Sequence, residues 1–387
     1  MRIVAGIALA AALASAGGAA AQTALKPGTP SVLVWTPQQQ SDGYRAMETI
    51  YRVNTIHRGE TVHALPRADR QIDPTFEVGG KSYTVDSFMA ANRMSGVLVI
   101  KDGRIVLERY AMGRKPDDRW TSFSVAKSVT STLVGAAIAD GKIAGVNAPV
   151  VDYIPELKGS GYDGVTVRQL LMMSSGVKWN EDYADPKSDV AQAGTAILEP
   201  GVNPMVSYMR KLPRAHEPGT IFHYNTGETD LVGVLVSNAV GMSLSDYASE
   251  KIWKPYGMER DAVWMTDLAG HERGGCCISM TLRDYGRVGQ FILDGGVAGG
   301  KRILPEGWTA EATSKQIDNG SGGYGYFWWM VPGGYQAAGI FGQSITTYPK
   351  DRVIVVTNAA WPQADADAAW IALGAFDEAM RAAATGG

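Results

Sequence analysis

Val125, Val129, Leu133, Ala136, Ala137 and Ile138 recur at three- and four-residue spacing, which predicts an α-helix that stops at Asp140-Gly141. Ser128, Ser131, Gly135 and Ala139 fill its other faces with small side chains. A helix that neighbours can approach from all sides belongs in a core. Upstream, alternating apolar runs at 95–101 and 104–110 flank Asp102-Gly103 and predict an antiparallel hairpin.

Beyond Gly141, the segment 165–173 reads as a helix capped by Thr166 and ended by Ser174-Ser175-Gly176. Residues 178–189 form a polar, aromatic loop of the kind that lines pockets. Apolar helices are expected at 231–240, stopped by Gly241, at 244–253 and at 282–293. Strand candidates follow at 324–330, 335–340, 344–348 and 353–358, before a closing helix at about 364–384. Strands at both ends with helices between them imply an α+β fold, its sheet built from the two termini and a helical region inserted between.

The 387 residues, 45% hydrophobic and 19% charged, allow one large domain or two moderate ones. With a net charge of −3 and no basic block, no nucleic-acid partner is expected. The chain opens Met1-Arg2, runs apolar from Ile3 to Ala14 and reaches Ala19-Ala20-Ala21, the pattern of a secretory signal peptide cut after Ala21. A periplasmic or secreted protein with no membrane in its mature form is the resulting expectation. An uncleaved anchor is the alternative, although the apolar run is short and interrupted by glycine. Residues 22–85, rich in Pro, Gln, Gly and Arg, read as an extension that wraps the main domain, 86–387, with one short helix around 43–51. His57 and His63 lie in it without a cysteine nearby and read as ordinary histidines.

The only cysteines, Cys276 and Cys277, are adjacent. Neighbouring cysteines do not easily meet disulfide geometry, so the expectation is two small packing residues in a tight loop. They have no zinc-ligand spacing, and no His-Glu-x-x-His occurs, so no metal or other cofactor is expected.

Candidate chemistry sits at the mouth of the first helix. Ser124 and Lys127, spaced i,i+3, share one face within hydrogen-bond reach. A lysine shielded from water loses proton affinity and can serve the serine as base. Unpaired N–H groups at the helix start favour an oxyanion. By itself the pattern fits equally a serine cap followed by a solvated lysine. A second copy, Ser175 to Lys178, is broken by Gly176 and set aside. Tyr224, in a polar turn that opens onto the helix at 231–240, repeats the layout of the serine stretch and can act as a shared acid and base, or as a core tyrosine with its hydroxyl at the rim.

Ser124-Val125-Ala126-Lys127, Tyr224-Asn225-Thr226, Leu170-Leu171 before Ser174-Ser175-Gly176, and Gly339-Ile340-Phe341-Gly342-Gln343 occur in this order. From about residue 90 to 380 the chain resembles the serine β-lactamase and penicillin-binding family, on the class C-like branch that holds 6-aminohexanoate-dimer hydrolases and related esterases. The resemblance implies a β-lactamase/DD-peptidase-like fold, an antiparallel sheet flanked by helices and packed against an all-helical region. It also implies an acyl-enzyme on Ser124, with proton transfer by Lys127 and Tyr224 and an oxyanion held by the N–H groups of Ser124 and Ile340. Gly339, Tyr183 and His271 would line the substrate pocket.

Two positions depart from that family's usual motifs. Thr226 stands where asparagine is usual, and Ala337-Ala338 stands before Gly339 where a lysine or histidine usually meets a β-lactam carboxylate. The leading expectation is therefore a serine hydrolase of small linear amides or esters, working as a monomer or homodimer. A D,D-peptidase or β-lactamase, and a non-catalytic binding protein on the same fold, are the alternatives. No Gly-x-Ser-x-Gly occurs, which excludes an α/β-hydrolase.

Overall fold

The computed structural model describes residues 31–193 and 199–386. The proposed signal peptide, 1–21, lies outside them, as does the start of the extension, 22–30. A six-stranded antiparallel sheet dominates. Its strands are β1 (Met94–Lys101), β2 (Arg104–Tyr110), β3 (Trp329–Val331), β4 (Gly334–Gly339), β5 (Gln343–Tyr348) and β6 (Val353–Ala359), in the spatial order β3-β4-β5-β6-β1-β2. Val99 of β1 pairs with Val355 of β6, so the two ends of the chain meet in the middle of the sheet.

Both faces are covered, and successive residues serve different layers. Leu98, Ile100, Ile345, Ile354 and Val356 pack with Leu282, Tyr285, Val288 and Phe291, all on the helix Leu282–Leu293. Val97, Val99, Leu107, Val353 and Val355 face Phe88, Leu373, Phe376 and Met380. The last three belong to the closing helix, Asp367–Thr385. Continuous apolar runs in β1 and β6 follow from this double burial.

Against the sheet lies the helical region, with α1 (Val125–Ala139) and α2 (Thr226–Val240) at its centre. Helix α1 is buried on every face except at its last two residues. Gly135 is obligatory there, because a Cβ would fall 2.6 Å from the Trp308 ring. Ser128 and Thr130 donate across to the carbonyls of Phe327 and Gly274 at 2.7 Å each. Thr166 caps Val167–Leu171 through a capping box, as its sequence predicts.

Several expectations need correction. The α-helix of the N-terminal extension is Pro37–Gly43, where Thr36 and Gln39 form a capping box with Pro37 at the first turn, and within 43–51 the chain makes only a short 3-10 helix, Met47–Thr49. The extension also supplies a strand, Val53–Ile56, which pairs with Ala262–Met265 in a second, four-stranded sheet. Of 324–330 only the end is a strand, since Phe327 takes a positive φ of 61° and turns the chain. The helix at 244–253 is α-helical only over Leu244–Ala248 and widens to a π turn over Ser249–Trp253.

Cys276 and Cys277 form a disulfide with each other, against expectation. Cys277 has φ 76°, and this left-handed turn, pinned by Trp264 Nε1 on the carbonyls of Arg273 and Cys276, brings the two side chains together.

Candidate active site

Ser124 is the N-cap of α1, but its side chain makes no capping bond. The hydroxyl is left to its neighbours. Ahead of it, Phe123 adopts φ 44°, and Ser122 anchors the turn by accepting from Ile278 N at 3.0 Å and donating to Phe123 O at 3.0 Å. A sharp, fixed turn thus precedes the helix, with Ser124 9% exposed at its apex.

One turn on, Lys127 is 2% exposed and has three partners. Its Nζ donates to Ser124 Oγ at 3.2 Å, to Thr226 Oγ1 at 2.9 Å and to Gly275 O at 2.9 Å. A carbonyl can only accept. Thr226 gives its one hydroxyl proton to Glu181, so it too can only accept from the lysine. When Lys127 is neutral, its two protons therefore go to Thr226 and Gly275, and the lone pair faces Ser124. Burial lowers the Lys127 pKa to about 8, Glu181 and Asp230 work against that shift, and Arg273 adds to it.

Tyr224 lies half-buried, stacked on Trp329 at 5.5 Å between ring centroids. Its ring centroid is 5.2 Å from Lys127 Nζ, and its hydroxyl lies beside Ser124. Burial pushes that hydroxyl well above the usual tyrosine range, Glu181 pushes the same way, and neighbouring Ser124 offsets part of the shift. Ser124, Lys127 and Tyr224, drawn from two helix mouths, form one cluster.

The residue after the tyrosine, Asn225, is the N-cap of α2 and accepts from Glu228 N at 3.0 Å. Its side chain is committed to the helix, and Thr226 takes the place beside the lysine. Glu181 then ties the loop to this point. It accepts from Thr226 N at 3.0 Å, from the Thr226 hydroxyl, from Trp179 Nε1 and from Tyr183 OH at 2.8 Å. Tyr183 thereby reaches the cluster through Glu181. On the other side, Asp230 accepts from Gly275 N at 2.7 Å and from Arg273 Nε at 3.0 Å, which aims Gly275 O at the lysine.

Gly339 ends β4 against the serine turn. A Cβ there would fall 2.4 Å from Ser122 O and 3.0 Å from Ser124 N. Only glycine allows this approach, which brings the strand end and Ile340 alongside Ser124. Among the described residues neither Ser124 N nor Ile340 N has a backbone acceptor, so both donors remain available to a ligand oxygen.

His271 is placed differently. It sits on an exposed loop with Nδ1 3.3 Å from Asp267 Oδ2, and that bond raises its pKa above the usual histidine value. The second Ser-x-x-Lys copy is dismantled: Ser175 Oγ donates to Glu228, Gly176 has φ 78°, and Lys178 is exposed. Thr226, Glu181, Asp230 and Gly275 join the site beyond the residues the sequence singles out for it. Glu181 lay inside the aromatic loop already singled out, and an acidic residue between Trp179 and Tyr183 was the available signal. No group of three or more His, Cys, Asp or Glu side chains able to hold a metal occurs among the described residues.

Fold and site define a serine hydrolase. Residues 83–376 match the family model described as Beta-lactamase, and the chain belongs to that family. It is 33% identical over 287 residues to a 6-aminohexanoate-dimer hydrolase from Paenarthrobacter ureafaciens, covering 69% of this chain and 73% of that one. A solved structure from Bacillus anthracis, provisionally described as a 6-aminohexanoate-dimer hydrolase, superposes with a TM-score of 0.78 at 23% identity, over 89% of this chain and 94% of the other. A class C β-lactamase from Rhodobacter sphaeroides gives 0.55 at 18% identity, over 76% and 97%.

Proposed function

We propose that the protein is a secreted amidase or esterase that opens small linear amides or esters through an acyl-enzyme on Ser124. The observation that carries this reading is the buried Lys127 amine, whose two obligate acceptors leave its lone pair for the serine. In the first half-reaction Lys127, with Tyr224, takes the Ser124 proton as Oγ attacks the carbonyl carbon. The N–H groups of Ser124 and Ile340 receive the negative oxygen. Tyr224 then delivers a proton to the departing amine or alcohol, and the acyl group stays on Ser124. Water attacks that ester with the same groups reversing their duties, releasing the acid and restoring the serine proton.

The Paenarthrobacter relative's name suggests the linear dimer of 6-aminohexanoate as the first amide to try. Ala337-Ala338 stands where β-lactam recognition would want a cation, so cell-wall peptides and β-lactams rank below simple amides. Secretion rests on the N-terminal sequence pattern, and a monomer or homodimer needing no cofactor completes the reading.

The test is hydrolysis of p-nitrophenyl butyrate and of the linear 6-aminohexanoate dimer by the purified mature protein, beside covalent labelling by a fluorescent penicillin. Turnover of either substrate without stable labelling supports the reading. Stable penicillin labelling with neither substrate cleaved would move the protein to cell-wall chemistry.

A further inference from the structure

Two non-glycine residues in left-handed conformation flank the candidate oxyanion donors. Phe123, at φ 44°, precedes Ser124, and Phe341, at φ 63°, follows Ile340. Such conformations persist only where the surroundings over-determine them. Here the surroundings include the N-terminal extension.

Tyr44, fully buried, lies against both rings. Its centroid is 5.2 Å from that of Phe123 at an interplanar angle of 80°, and 5.9 Å from that of Phe341. The two phenylalanines stand 5.2 Å from each other. Trp120, in the strand before the nucleophile, meets Tyr44 edge-on at 5.6 Å, and Thr121 N donates to Tyr44 O at 3.0 Å. Trp35 stacks behind at 5.9 Å, and a Cβ on Gly43 would fall 2.2 Å from the Trp35 ring. Gln40 Nε2 donates to Trp361 O at 3.2 Å, and Trp361 N donates to Phe341 O at 3.3 Å, which joins the same segment to the strand-end turn. These N-terminal residues all precede residue 83, where the family match begins.

We infer that Tyr44 is a positioning residue for the oxyanion hole. Its ring wedges the Phe123 and Phe341 turns into one aromatic block and thereby sets the spacing of the Ser124 and Ile340 N–H groups, so the extension is a working part of the site. The inference rests on the reading of Ser124 as nucleophile.

The experiment uses the full mature chain with Tyr44→Phe, Tyr44→Leu and Trp35→Leu, each checked for folding by thermal melting. It measures kcat and KM for p-nitrophenyl butyrate and the inhibition constant of phenylboronic acid, whose serine adduct is tetrahedral and anionic. Loosening the hole should lower kcat of Tyr44→Leu roughly 10- to 100-fold and weaken the boronate by a similar factor, with KM and Tyr44→Phe within about threefold of wild type. Trp35→Leu, which frees Tyr44 from behind, should move the same two quantities in the same direction by less, and decides the matter if Tyr44→Leu does not fold. Folded variants with wild-type kcat and boronate affinity, a change in KM alone, or an equal loss in Tyr44→Phe would overturn the inference. Ser124→Ala, run alongside, separates the two readings. Turnover retained there defeats the nucleophile assignment, whereas an inert Ser124→Ala beside unaffected Tyr44 and Trp35 variants defeats only the role given to Tyr44.

Discussion

Lys127 and Thr226 are joined by a 2.9 Å hydrogen bond in which the lysine is the donor. The direction is fixed because the hydroxyl proton of Thr226 is given to Glu181. Removing that acceptor leaves one lysine proton without a buried partner and lets the amine turn away from the serine. Thr226→Val should therefore lower kcat roughly 10- to 100-fold, the scale of one hydrogen bond to a charged group. Steady-state kinetics on p-nitrophenyl butyrate check it, and KM should hardly move.

The same network sets the pH dependence. A protonated Lys127 cannot accept the serine proton, so kcat/KM should rise with pH through about 8, as an apparent value of the coupled Lys127–Tyr224 pair. Glu181 favours the protonated lysine, so neutralising it makes the proton easier to lose. Glu181→Gln should move the midpoint to lower pH. A pH–rate profile for both proteins decides, and an unmoved or raised midpoint would speak against the coupling.

Glu228 gives a prediction on stability. It is buried in α2 with one oxygen bonded by Ser175, the other has no partner among the described residues, and burial raises its pKa from 4.5 to about 8. The folded state thus holds a proton that the unfolded state releases above pH 4.5. The stabilisation from this proton is fully present below pH 4.5 and is lost progressively as pH rises to about 8. Asp377, raised to about 7, adds a loss of the same sign. Glu228→Gln should flatten the decline between these pH values while leaving the Asp377 part, as followed by melting temperature against pH.

Much of the fold was legible because its signals are local. The helix Leu282–Leu293 has its threonine cap at 281, and β1 and β2 have Asp102-Gly103 between them. The serine–lysine pair was legible for the same reason, since i,i+3 on a helix fixes which side chains meet. What escaped were groups that matter through distant partners. Thr226 sits beside Lys127 because Asn225 is taken by the helix cap, and Glu181 because a loop folds back over α2. The helix Pro37–Gly43 has a polar sequence with no periodic apolar stripe, so only its capping box announces it. Tyr44 follows that helix and packs behind the turn at Phe123, a placement no local pattern could show.

Every step of the proposed reaction depends on Ser124 carrying the acyl group. Mass spectrometry of the protein quenched during turnover of p-nitrophenyl butyrate, followed by peptide mapping, tests it most directly. One butyryl adduct is expected on the peptide containing Ser124, absent from Ser124→Ala, with an acylated form that accumulates when Tyr224→Phe slows deacylation. An adduct on another residue, or undiminished turnover by Ser124→Ala, would contradict it.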